Sequence, residues 1–307
     1  MRINSDTHFT TRQELIFLTK PSAANTITKT KETCDMQQRI SLSTAISTTN
    51  AALRSLATFY IFIFHCNGLY GVPNFGLVNN AFAIFMFISG YYTYLNGKDV
   101  NLWLKRRIKR IFIPYWIVMC GAILSNSIFK YKEVTLFEYV ASLLGASFFL
   151  ENKLYVISWF ISIITIFYIQ TFLVWKQKST ARRLVASVMF IVIAVAINIP
   201  PNFILMYQLG LLANIALSTA FSPDLAIDIS PSKYQLFKVI NDTVQTLQKY
   251  SYDFFLLHGG VLIFFSKLIH APYATTLLLA LPITAILSII LHKTTDTIER
   301  HLTRITR

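Results

Sequence analysis

The sequence predicts an all-α, polytopic transmembrane helical bundle with about eight strong spans. Three observations predict it. Of 307 residues, 54% are hydrophobic and only 14% are charged, with a mean hydropathy of +0.51, whereas soluble chains carry about 25% charge to hydrate their whole exterior. Apolar runs near the ~20 residues needed to cross ~30 Å of hydrocarbon recur along the chain. The cations, finally, collect in short polar gaps between those runs.

Residues 1–50 are rich in Ser and Thr, mixed in charge and weakly apolar. They predict a disordered cytosolic leader, unlike a signal peptide with its apolar core; a start at Met36 would lie close to the first span. Residues 51–307 are expected to form the membrane domain. Its runs lie at about 52–70, 77–95, 111–129, 154–175, 184–199, 203–221, 250–268 and 274–292. Each is expected to be helical because lipid offers no partner to free backbone groups. Residues 134–150 form a shorter run that carries Glu138, which points to an interfacial or re-entrant helix.

Orientation follows from the cations, since short cytoplasmic loops are enriched in Lys and Arg. Residues 96–110 contain Lys98, Lys105, Arg106, Arg107, Lys109 and Arg110, and the gap after the fourth run holds Lys176, Lys178, Arg182 and Arg183. Both gaps are therefore expected in the cytosol, and an even number of spans places both termini there. The net charge of +14 is not interleaved along one soluble face, which argues against nucleic acid as a partner and for the lipid bilayer. Cys34, Cys66 and Cys120 have no close pairing and no histidine cluster at zinc spacing, so neither a disulfide scaffold nor a metal site is expected. No carboxylate lies well inside a strong run, Asp253 at the start of the seventh being the nearest. That argues against an ion-coupled transporter, which uses intramembrane acids.

The chemistry gathers in the first run, where Arg54 and His65 stand eleven residues apart. At 3.6 residues per turn this is close to three turns, so both project from one face, about 16 Å apart along the axis. Arg54 falls at the cytosolic rim and His65 in the outer half of the membrane. Such a pair can hold an anionic cosubstrate inside and place a base near an acceptor arriving from outside. A lone helical histidine is also a common structural hydrogen-bonder, and a rim arginine a common snorkelling anchor; spacing alone leaves both readings open.

Further segments sharpen the choice. Leu53-Arg54-Ser55-Leu56-Ala57 leads to His65; Phe85-Met86-Phe87-Ile88-Ser89-Gly90-Tyr91 is an aromatic-rich Ser-Gly stretch; Arg106-Arg107-Ile108-Lys109-Arg110 runs on to Pro114-Tyr115. Ser158-Trp159-Phe160, Ser251-Tyr252 with Leu256-Leu257-His258, and Ile298-Glu299-Arg300 follow. As a set, spread over residues 51–305, they resemble the acyltransferase-3 family of integral-membrane O-acyltransferases, which modify bacterial surface sugars with cytosolic acyl-CoA.

The resemblance implies a bacterial inner-membrane enzyme that moves an acyl group, most often acetyl, from acyl-CoA to a hydroxyl of a surface or lipid-linked glycan. It implies that His65 is the catalytic base or acyl relay and that Arg54, Arg107 and Arg110 contact acyl-CoA; no metal is implied. Independent chemistry agrees, because a sugar hydroxyl is a poor nucleophile and an imidazole of pKa near ~6.5 can take its proton. Guanidinium groups bind phosphates through charge-assisted pairs, although a basic cluster such as residues 106–110 also sets topology. Ser89, Trp159, His258 and Glu299 are weaker candidates for substrate contact or structural support, with helix packing the commoner role for Ser89-Gly90. The 25 Phe and 15 Tyr are ascribed to aromatic belts and lipid-facing rings. One departure stands out: the family core has about ten spans, whereas residues 222–249 are too polar for further crossings. A glycan or lipid-intermediate exporter, or an inactive scaffold of the same ancestry, are the rival readings.

Overall fold

The computed structural model describes residues 38–74, 78–93, 99–130, 132–151, 154–155, 157–221 and 225–305. Cys34, Met36 and Lys98 lie outside them. A short strand β1 (Gln38–Ser41) leads into α1 (Leu42–Tyr70), α2 (Val78–Tyr91), α3 (Val100–Phe129) and α4 (Leu136–Leu143). After a 3-10 turn at Ser147–Phe149 come α5 (Ser158–Trp175), α6 (Thr180–Ala196) and α7 (Pro201–Ala220). Strand β2 (Ala226–Ile229), α8 (Pro231–Ile263), a π-helical turn (Phe264–Leu268) and α9 (Tyr273–Ile305) complete the chain. The all-α class stands. Four helices, α3, α5, α7 and α9, are long and apolar enough to cross a membrane by length and composition, among the described residues. The other predicted runs fall in helices that are shorter, as α2 and α6 are, or loaded with polar residues, as α1 and α8 are.

Two segments carry structure that the sequence reading does not specify. Residues 38–50, assigned to the leader, are strand and helix; residues 1–37 lie outside the described residues. Ser41 caps α1 by accepting the Thr44 amide at 3.2 Å, which satisfies one of the free donors of the first turn. The polar stretch 222–249 is also ordered where described, for residues 226–229 pair antiparallel with β1 and Pro231 opens α8 at a position where its missing N–H costs nothing. Thr48 donates to Asn241 Oδ1 at 2.8 Å and Gln245 Nε2 donates to Ser47 Oγ at 3.1 Å. With 29 and 33 residues, α1 and α8 are about 43 and 50 Å long, longer than ~30 Å of hydrocarbon. Their polar first turns form one paired extension.

α2 and α7 meet backbone to backbone. A Cβ on Gly90 would lie 2.0 Å from the Tyr207 carbonyl oxygen, and one on Gly210 would lie 2.0 Å from that of Phe87. Only glycine permits this approach, so Gly90 serves helix packing. Rings fill the space between α2, α5, α7 and α8: Phe82, Phe85, Phe160, Phe203 and Phe255 are all buried, with Phe160 and Phe255 centroids 5.2 Å apart. These phenylalanines build core, which corrects their assignment to belts and lipid contact. A helix that must pack in lipid gains from close ring and backbone contact, because lipid supplies no hydrophobic drive between helices.

Candidate active site

α1 carries Arg54 and His65 on one face, as their spacing requires. Two helices bring the predicted arginines together: Arg54 of α1 and Arg107 and Arg110 of α3 line one cavity of about 410 Å³, with Ser89 of α2 and Glu299 of α9 in its wall. The basic cluster lies inside α3, which begins at Val100 with Asp99 capping it through bonds to the Asn101 and Leu102 amides. Being helical, it puts Arg107 and Arg110 on neighbouring turns of one face.

Among the described residues Arg54, Arg107 and Arg110 make no close ion pair. Arg54 Nε is buried with no hydrogen-bond partner, and its Cζ stands 5.7 Å from the Phe85 centroid. Arg107 donates to the Tyr92 carbonyl at 3.0 Å and lies 5.7 Å from the Tyr168 ring. Among the described residues Arg39 pairs with Asp228 outside the cavity, while on the cavity's own wall His292 stands 2.9 Å from Asp253 and 3.6 Å from Asp296. Guanidiniums in a concave site and outside close ion pairs can bind an anionic group. The cavity wall on α8 and α9 is polar of both signs, with Lys249, Tyr252, Asp253, His292 and Asp296. Tyr252 donates to the Ile111 carbonyl at 2.9 Å, tying α8 to α3, and His292 Nδ1 lies 2.9 Å from Asp253 Oδ2.

Phe85, Phe160 and Phe255 form the cavity's apolar wall, and beyond Phe255 lies the imidazole site. His258, one turn along α8, is 1% exposed, with its ring 5.7 Å from Phe255 and 5.2 Å from His65. His65 Nε2 and His258 Nε2 are both buried without a hydrogen-bond partner. The structure thus joins His258, a weak candidate in the sequence, to the strongest one. Trp159 does not line the cavity; it packs edge-on against Phe82 at 4.9 Å and stacks on Phe203 at 6.2 Å, which makes it a packing residue. Tyr168, Tyr252 and His292 were missed as site residues. Asp253 and His292 each stand near the cytosolic end of a predicted span, and antiparallel neighbours could have been paired on that ground.

A helical bundle with apolar crossings, an arginine-lined cavity and buried imidazoles beyond it fits an integral membrane protein. A family model for an acyltransferase domain, that of the acyltransferase-3 family, matches residues 51–221. The match takes in more than half of the chain, and the chain belongs to this family of membrane acyltransferases. It includes Arg54, His65, Ser89, Arg107, Arg110 and Trp159 and ends before His258 and Glu299. No curated protein and no solved structure matches the chain.

Proposed function

We propose that this protein transfers an acyl group, most simply acetyl, from cytosolic acyl-CoA to a hydroxyl of a surface or lipid-linked glycan. The observation that carries the reading is the convergence of Arg54, Arg107 and Arg110 on one cavity, with His65 eleven residues further along the helix that bears Arg54. In this reading the arginines hold the phosphates of the donor. An extended phosphopantetheine arm then bridges the remaining ~16 Å of helix towards His65. His65 takes the proton of the acceptor hydroxyl as its oxygen attacks the thioester carbon, and returns it to the departing sulfur. The eight predicted spans, with both termini in the cytosol of a bacterial cell, place the arginines inside and the imidazole in the outer half of the membrane.

The test is mass spectrometry of surface glycans from host cells carrying no gene, the wild type, His65→Ala or Arg54→Ala. The wild type is expected to add the mass of one acyl group per modified sugar, and both variants to lose it. Full acylation with His65→Ala would remove the base from the mechanism, and loss of glycan export at unchanged acylation would favour a transporter.

A further inference from the structure

We propose that His258 is a positioning residue that fixes the tautomer of His65, so that one imidazole of the pair serves the other as a hydrogen-bond acceptor. The proposal rests on the acyl-transfer reading of His65 for its kinetic part and on geometry alone for its tautomeric part.

His258 Nδ1 lies 2.6 Å from the Phe255 carbonyl oxygen. A carbonyl only accepts, so Nδ1 carries the hydrogen, and in the neutral ring Nε2 is a bare acceptor. That Nε2 is buried and unpartnered, a costly state unless a donor reaches it. The neighbouring ring is His65 at 5.2 Å between centroids, close enough for an N–H of one imidazole to meet the nitrogen of the other after a modest rotation, or through one water. His65 Nε2 is itself buried and unpartnered. The other rings against His258 among the described residues, Phe62, Phe254 and Phe255, are apolar. A hydrogen on His65 Nε2 satisfies both orphans at once and leaves Nδ1 as the basic nitrogen.

The turn that carries His258 is built for this. The Tyr155 hydroxyl donates to the Leu256 carbonyl and accepts the Gly260 amide at 3.1 Å. Those are the two groups that the regular bond of the helix would join, so Tyr155 anchors the turn centred on His258 from outside α8. In the transfer step the acceptor's O–H bond breaks and its proton moves to His65 Nδ1 while the oxygen bonds to the acyl carbon. When the C–S bond breaks, the sulfur takes that proton. Through both events His65 Nε2–H donates to His258, which supports the transient imidazolium without itself gaining a proton.

Two substitutions separate this role from a structural one. His258→Asn keeps a donor for the Phe255 carbonyl and removes the acceptor facing His65; His258→Gln extends an amide oxygen towards the place of Nε2. With full-length, ¹⁵N-histidine-labelled protein in lipid nanodiscs, the wild type is expected to show His65 as a single tautomer protonated at Nε2. His258→Asn is expected to show mixed tautomers and His258→Gln the wild-type form. Where acylation is measurable, His258→Asn is expected to lose at least tenfold in kcat with KM for acyl-CoA within twofold, and His258→Gln to recover most of it. A His65 tautomer unchanged in His258→Asn, or rescue by Asn and not Gln, would overturn the proposal. The tautomer measurement needs no turnover, so its result stands apart from any failure of the acyltransferase reading.

Discussion

Replacing Arg54 by Met is expected to move stability and binding in opposite directions. A buried polar group without a partner costs about 1–3 kcal/mol, and more if charged, and Arg54 Nε is such a group. The face of Phe85, 5.7 Å from the guanidinium carbon, returns about 0.5–2 kcal/mol. Methionine keeps an apolar stem against the same ring. The protein without donor should therefore gain on the order of 1 kcal/mol from Arg54→Met, seen as a higher midpoint of thermal unfolding in detergent. The donor should lose charge-assisted bonds worth about 1.5–3 kcal/mol, a weakening of about 10- to 150-fold in Kd for acyl-CoA. Calorimetric titration of the two proteins with acetyl-CoA reads that ratio. A lower unfolding midpoint together with unchanged affinity would refute the reasoning, since it would make Arg54 a structural anchor and leave the cavity's ligand unexplained.

Further substitutions probe helix packing and surface charge. Gly90→Ala and Gly210→Ala each drive a Cβ against a facing carbonyl and should cost about 1–3 kcal/mol or more, whereas Gly121→Ala, which meets nothing within 4 Å, should be neutral or stabilising by up to about 1 kcal/mol; thermal unfolding of the three variants compares them. The double variant Arg107→Gln, Arg110→Gln should weaken acyl-CoA binding while cysteine-accessibility labelling reports unchanged topology, and inverted helices would instead make the cluster a topological anchor. Arg39→Ala should change stability by no more than about 0.5 kcal/mol, because its 2.9 Å pair with Asp228 is largely exposed; a larger loss in chemical denaturation would show that the strand pair depends on it.

The parts legible in the sequence are those that helical periodicity or local composition encodes. Arg54 and His65 share a face because eleven residues make three turns, and Arg107 and Arg110 do so at a spacing of three; neither statement needs a neighbour. The beginning of α1 was illegible because its Ser and Thr residues prefer caps and turns to helix interiors. Beyond the Ser41 cap, it is held by contacts to Asn241 and Gln245, almost two hundred residues away. β1 and β2 are four residues each, too short for alternation to speak. His258 and the Asp253–His292 pair depend on how α8 sits against α1 and α9, which no single helix records.

That packing also explains why the polar extension belongs to the site. α1 and α8 together carry Arg54, His65, Tyr252 and His258, so a slip of one helix past the other by a single turn, about 5.4 Å, would part the two imidazoles and shift Tyr252 from the cavity. The apolar surfaces deeper in the bundle resist such a slip weakly, because ring and aliphatic contacts are non-directional. Hydrogen bonds are directional. The β1–β2 ladder and the Thr48–Asn241 and Ser47–Gln245 bonds fix the register at the start of the pair. The segment that the sequence reads as too polar to cross the membrane thus helps keep His65 of α1 beside His258 of α8.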